Sequence, residues 1–165
     1  MKIKDVMTRD VIALGPSDTL EDAIELFSRI GISGAPVVDA QRRVIGILTE
    51  MDILKRLEIG SIETTSRQKG TRRAPASHPD GAIRIKRLSD ALRGIGELKV
   101  SKVMTSPAVT VGPEDRVEEK ATLMVHRRIR RLPVVDRDGV LAGIVSRKDL
   151  IRALSASGQK GGGKQ

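Results

Sequence analysis

Residues 33–54, SGAPVVDAQRRVIGILTEMDIL, return 97 positions further along the chain as residues 130–151, RRLPVVDRDGVLAGIVSRKDLI. The same offset aligns residues 3–54 with 100–151 without a gap, and 16 of those 52 pairs are identical. The identities fall in order: Val6 to Thr8 with Val103 to Thr105, then Gly15, Pro16 and Asp18 with Gly112, Pro113 and Asp115. After them come Pro36 to Asp39 with Pro133 to Asp136, Gly46 and Ile47 with Gly143 and Ile144, and Asp52 with Asp149. A period this long and this ordered fixes the architecture as a duplicated supersecondary unit before any local pattern is weighed.

Each copy reads as β-α-β-β-α. A short apolar run, VIAL (11–14) or AVTV (108–111), predicts a strand, and a Gly-Pro turn ends it. A helix with an acidic start follows, with Asp18 and Asp115 as expected caps and Glu21 and Glu118 three residues on, in the manner of a capping box. Leu20, Ala23, Ile24 and Phe27 form its apolar face in the first copy; Val117, Ala121 and Met124 do so in the second, where Lys120 stands in place of Ala23.

Two strands then form a hairpin, PVV with VIGIL and PVV with LAGIV, across polar turns. A closing helix is expected over about 49–57 and 146–154. A unit of about 50 residues with a half-covered sheet is too small to be comfortable alone. The expected fold is therefore α/β in content (α+β), with two repeats related by a pseudo-two-fold axis and sheets packed face to face. The repeats occupy 1–57 and 100–156. Between them lies a basic linker over 58–99 with a short amphipathic helix near 83–95, and a disordered tail spans 157–165.

Composition narrows the chemistry. With no Cys and only His78 and His126, thiolate metal sites, disulfides and cysteine nucleophiles are excluded, and no metal ligand set is expected. Phe27 is the only aromatic residue, which argues against stacking platforms for exposed bases. No apolar run approaches the roughly 20 residues of a membrane span and no signal peptide is evident, so a cytoplasmic protein is expected. The net charge of +9 is concentrated between Lys55 and Lys102, with twelve basic against five acidic residues, and in the stretch HRRIRR from His126 to Arg131.

The motifs VMT, GPSDTLEDA, GAPVVD and GILTEMDIL, repeated as VMT, GPEDRVEEKA, RLPVVD and GIVSRKDL, resemble the cystathionine-β-synthase-type (CBS) domain pattern over nearly all of 3–57 and 100–154. Such domains pair into Bateman modules that often dimerise. Their clefts commonly take AMP, ADP, ATP or S-adenosylmethionine and report occupancy to a partner protein. The resemblance therefore implies a stand-alone regulatory module with an adenosyl ligand, a homodimer and an unidentified regulated partner.

A site emerges from the residues as well. Thr49 and Ser146 end a strand, and an aspartate follows three positions later in the first turn of a helix (Asp52, Asp149). Such a carboxylate can accept hydrogen bonds from a ribose diol, while the helix N-terminus and the hydroxyl favour a phosphate. Taken alone, the pattern reads more readily as ordinary capping; its duplication within the family pattern favours the ligand. By resemblance, an adenine slot is bordered by Ile12 and Ala13 with Gly34, Ala35 and Pro36 in the first copy, and by Val109 and Thr110 with Leu132 and Pro133 in the second. Ile12, Val109 and Leu132 can also be read simply as core.

Arg130 and Arg131 occupy positions where a similar protein, the γ subunit of AMP-activated kinase, places basic side chains on nucleotide phosphates, and Lys148 matches another such position. Their alternative is a solvated basic helix end. The first copy has Ser33 and Gly34 at the positions of Arg130 and Arg131, so unequal occupancy is expected.

No Ser-His-acid or paired-carboxylate constellation stands out, and an enzyme is not expected. CBS pairs do occur inside inosine monophosphate dehydrogenases, but neither a barrel nor a cysteine for that chemistry is present. The alternative function is nucleic-acid binding, through RQKGTRR (67–73) and the arginine cluster, against which stand the missing aromatics and the absence of a recognition-helix motif.

Overall fold

The computed structural model describes residues 1–57 and 93–158. The linker over 58–82, most of the helix expected near 83–95 and the tail beyond 158 lie outside the described residues; 93–96 are helical. In chain order the elements are α1 (Leu20–Ile30), β1 (Gly34–Val38), β2 (Val44–Thr49), α2 (50–57), α3 (93–96), α4 (Val117–His126), β3 (Arg131–Val135), β4 (Leu141–Ser146) and α5 (Arg147–Gly158). β1 pairs with β2 and β3 with β4, giving two two-stranded sheets and the α+β content the pattern predicts. In the β3–β4 sheet the antiparallel register places Arg131 opposite Ser146 and Leu132 opposite Val145.

The runs at 11–14 and 108–111 are not strands. Each is reduced to one parallel bridge, Leu14 to Val37 and Val111 to Val134. Leu14 N–H donates to the Pro36 carbonyl and Val38 N–H to the Leu14 carbonyl; in the second copy Val111 and Val135 N–H donate to the Pro133 and Val111 carbonyls. The next rung would need an N–H from Pro36 or Pro133, and proline has none. The ladder stops there, leaving the carbonyls of Ile12 and Val109 without a strand partner among the described residues.

The helix starts also differ from expectation. Thr19, not Asp18, caps α1, its hydroxyl accepting from Asp22 N–H at 3.1 Å while the Asp22 carboxylate accepts from Thr19 N–H. Arg116 precedes α4 without a side-chain cap. The two aspartates are otherwise engaged. Asp18 C=O accepts from Val100 N–H and Asp115 C=O from Ile3 N–H, while the Asp115 carboxylate takes Gly112 N–H at 2.8 Å and the Lys120 ammonium at 3.2 Å. Lys120 thus runs out to a partner where Ala23 is buried.

The chain divides into two compact units, each built from both repeats: Met1–Gly15, Ala35–Ile47 and Ser106–Gln165 in one, Pro16–Gly34 and Leu48–Thr105 in the other. The segment leading each repeat is given to the other copy. In the first unit Ile3 and Lys4 N–H donate to Asp115 and Pro113 C=O, and Val117 N–H to Met1 C=O. In the second unit Val100, Ser101 and Leu20 N–H make the matching bonds to Asp18, Pro16 and Leu98. Every one of these pairs is related by the 97-residue offset.

The core of the first unit gathers Ile3, Val111, Val117, Met124, Leu132, Val134, Val145, Leu150 and Ala153. Full burial of a branched aliphatic side chain contributes about 1.5–3 kcal/mol, so this cluster is the main force ordering α4, α5 and the β3–β4 sheet. In the second unit Leu20, Ala23, Phe27, Leu48, Ile53 and Val100 are buried. Gly143 lets the N-terminal segment close on β4: an added Cβ would lie 2.7 Å from Met7 Sδ and 2.9 Å from the Thr8 carbonyl, and Thr8 and Ile144 exchange two backbone bonds there.

Candidate functional site

The aspartates of the closing helices are held by reciprocal caps. Thr49 N–H and hydroxyl donate to Asp52 Oδ2 at 2.9 and 2.6 Å, and Asp52 N–H returns to the Thr49 hydroxyl. Ser146 and Asp149 repeat this at 2.9 and 2.5 Å. Both carboxylates are half-buried, and each spends Oδ2 on its cap.

Their second oxygens differ. Asp52 Oδ1 accepts from the Thr105 hydroxyl at 3.2 Å. Asp149 Oδ1 accepts no hydrogen bond from the described residues, and Thr8, the counterpart of Thr105, does not reach it. Asp149 thus keeps an acceptor for an external donor, such as a sugar hydroxyl.

Beside the Ser146–Asp149 cap, Arg130, Arg131, Ser146, Arg147, Lys148 and Ile151 line a groove of about 500 Å³. The β-register brings Arg131 opposite Ser146, and Arg147 N–H donates to the Arg130 carbonyl at 3.0 Å, which joins the start of β3 to the start of α5. Among the described residues, four cations and no acid line the groove. Guanidinium and ammonium donors together with the opening turn of α5 suit a phosphate-bearing ligand.

Of the residues singled out from the sequence, Arg130, Arg131, Lys148 and Ser146 come together here. Val109 and Thr110 precede Val111, whose parallel bridge to Val134 and bond to the Pro133 carbonyl set them toward the start of β3. Val109 and its counterpart Ile12 are exposed, at 36% and 41%, whereas Leu132 is fully buried in the core, so its side chain packs inward. Pro133 is buried and Thr110 half-buried. The residues foreseen for the first copy are divided: Ile12, Ala13, Ala35 and Pro36 belong to one unit, Gly34, Thr49 and Asp52 to the other.

Sequence reasoning passed over three residues. Arg147 and Ile151 line the groove, and Thr105 occupies Asp52. Arg147 carried a usable signal, because its counterpart Glu50 has the opposite charge. Thr105 carried none, since its bond to Asp52 joins residues 53 positions apart.

The PVVD aspartates do structural work: Asp39 accepts from the N–H groups of Gln41 and Arg43, and Asp136 from those of Asp138 and Val140. An ion pair with Arg43 and these bonds hold the Asp39 carboxyl below its ordinary range, the Arg43 N–H contributing most.

Comparison with known proteins identifies the family and the fold. The CBS domain profile matches residues 3–59 and 100–156. The uncharacterized protein MJ1426 of Methanocaldococcus jannaschii is 34% identical over 154 residues, spanning 93% of this chain and 91% of that protein. Inosine-5'-monophosphate dehydrogenase of the same organism is 28% identical over 151 residues, but the match spans 92% of this chain and only 23% of the enzyme. Among solved structures, CBSX2 of Arabidopsis thaliana in complex with AMP superposes with a TM-score of 0.68 at 25% identity, covering 95% of this chain and 98% of that one. Among the described residues no helix is long and apolar enough to cross a membrane.

Proposed function

The chain belongs to the CBS-domain family, and on that premise we propose that it is a regulatory module that binds an adenosyl ligand and acts on a partner protein. The observation that carries the proposal is Asp149: one carboxylate oxygen is fixed in the Ser146 cap and the other has no donor among the described residues, beside a groove lined by Arg130, Arg131, Arg147 and Lys148. A ribose diol donates to the second oxygen, the phosphate end meets the cations, and the exposed Val109, whose carbonyl has no backbone partner among the described residues, lies against the base. AMP bound to CBSX2 supports this ligand class.

The role is sensing rather than catalysis, because the match to the dehydrogenase is confined to less than a quarter of that enzyme. A ligand can shift the module between states only by its differential affinity for them, so the signal is the binding energy at this groove expressed at a partner-facing surface.

One such surface is the face between α4 and α5, where Val125 and Ile151 are 66% and 58% exposed beside an apolar groove of about 380 Å³. A second copy of the chain covers this face, giving a homodimer, because an exposed apolar patch on adjacent helices marks an interface. A thermal-shift series with AMP, ADP, ATP, S-adenosylmethionine and short DNA or RNA tests the function. A ligand at about 100 times its Kd adds roughly 2.7 kcal/mol. Stabilisation by an adenosyl compound is expected. Steeply salt-dependent binding to nucleic acid with no adenosyl response would displace the proposal.

A further inference from the structure

The helices of the two copies carry opposite charge at equivalent surface positions, and that contrast points to what covers them. We propose that the chain self-associates heterotypically: the α4–α5 face of one molecule packs against the matching surface of α1 and α2 of a second copy, instead of each surface meeting its own likeness. The proposal rests on the self-association read above from the apolar face and adds which surface of the second copy fits it.

Both surfaces expose aliphatic side chains. In the second copy Val125 on α4 and Ile151 on α5 flank the apolar groove. In the first copy Leu54, the counterpart of Ile151, is 50% exposed on α2, and Met51, one turn before it, is 52% exposed. Exposed apolar patches on a polar surface mark association sites.

The charges beside these patches differ in sign. Glu50 opens α2 and Arg147 opens α5; they occupy the same position of the repeat, each four residues before the exposed Leu54 or Ile151. The other charged counterparts of the groove lining are Glu25 and Arg29, which stand at the positions of Thr122 and His126. Glu25, Glu50 and Arg147 are exposed and form no ion pair among the described residues. The Arg147 guanidinium donates to the Ile129 carbonyl at 3.2 Å, which fixes it in place without neutralising it. A guanidinium has further N–H donors, so Arg147 can border the ligand groove and still face a carboxylate.

Because the repeats share one framework, like and unlike surfaces offer similar shapes, and side-chain chemistry decides which pair. Pairing the first-copy surface with itself gathers Glu25, Arg29 and Glu50 twice, an excess of acid; pairing the second with itself gathers Arg147 twice with no acid. The heterotypic contact sets Glu25 and Glu50 against Arg147 and Arg29, and the charges balance. Like charges brought into an interface disfavour it, and complementary ones select the partner surface. Made twice about a two-fold axis, this contact closes a homodimer.

The chain has no cysteine, so single introduced thiols report the contact cleanly. Full-length Leu54→Cys and Ile151→Cys are treated with a short bis-maleimide, each alone and as an equimolar mixture. Cross-linked dimer is expected at least about fivefold faster in the mixture than in either variant alone, because only unlike surfaces hold the two thiols at high effective concentration. In sedimentation equilibrium, Glu50→Arg and Arg147→Glu should each weaken self-association about tenfold, and the double reversal should restore it. Cross-linking as fast within either variant as in the mixture, none in the mixture of a chain that does associate, or a double reversal no stronger than the single ones, would overturn the proposal and leave the homodimer standing. A wild-type chain still monomeric at about 100 μM would instead remove the self-association on which it rests.

Discussion

The two copies of the repeat build the same cap and then part company. Thr49–Asp52 and Ser146–Asp149 hold the same reciprocal hydrogen bonds, yet Asp52 has its second oxygen taken by Thr105 and Asp149 does not. Around Ser146 stand four cations; around Thr49 the same positions carry a serine, a glycine, an acid and a methionine. The difference teaches that duplication supplied a scaffold in which capping is structural in both copies, while the cation-lined groove accompanies only the second.

The largest expected effect comes from breaking that contrast at the aspartates. Asp149→Asn keeps a capping side chain but replaces a charged acceptor, and hydrogen bonds to charged groups contribute about 1.5–3 kcal/mol each. Affinity for the adenosyl ligand should fall about 100-fold by calorimetry, whereas Asp52→Asn should change it less than about threefold. Equal losses in the two variants would erase the asymmetry.

Next in size is the close approach of the N-terminal segment. Gly143→Ala places a Cβ 2.9 Å from the Thr8 carbonyl, and overpacking of this kind costs about 1–3 kcal/mol. By contrast, Gly112→Ala meets only the Asp115 carboxylate at ordinary contact distance, 3.8 Å, and should cost less than half as much in urea denaturation.

Smaller still is the exchange of residues at the left-handed positions. Gly31 has φ 73° with open space around it, so Gly31→Ala should cost about 1 kcal/mol through backbone conformation alone. Arg128→Gly at the matching position should gain a comparable amount. A loss in that variant would show Arg128 making a stabilising contact that outweighs its strain.

The smallest effect concerns how the leading segments are tied down. Glu114 is paired with Lys2 and Lys4, and these hydrogen-bonded ammonium groups lower its carboxyl from 4.5 to about 2. Its counterpart in the first copy is Ser17, so residues 100–104 have no such anchor. Because the folded carboxyl is the stronger acid, its contribution is complete above about pH 4.5 and disappears as the pH falls toward 2. The surface ion pairs are worth little, so the Glu114→Gln midpoint should sit slightly below wild type at pH 7 and merge with it near pH 2.

Much of this was legible in the sequence because the repeat is local and periodic. The apolar spacing of Leu20, Ala23 and Phe27 marked α1, and the PVVD turns marked both hairpins. The strands expected at 11–14 and 108–111 failed because a proline in the neighbouring strand removes the N–H for the next rung, an effect of pairing partners rather than of composition. Asp18 and Asp115 looked like caps but serve the exchanged segments, whose docking depends on residues more than 80 positions away. At the site, Arg130, Arg131, Lys148 and the Ser146–Asp149 cap could be named from the motif, whereas the plugging of Asp52 by Thr105 required coordinates.

The most direct test of the central claim is a crystal structure of the chain grown with ATP. The account predicts density in the second-copy groove, with the ribose hydroxyls on Asp149 Oδ1 and the phosphates along Arg130, Arg131, Arg147 and Lys148. A ribose seated on Asp52 instead, with the Asp149 groove empty, would contradict it.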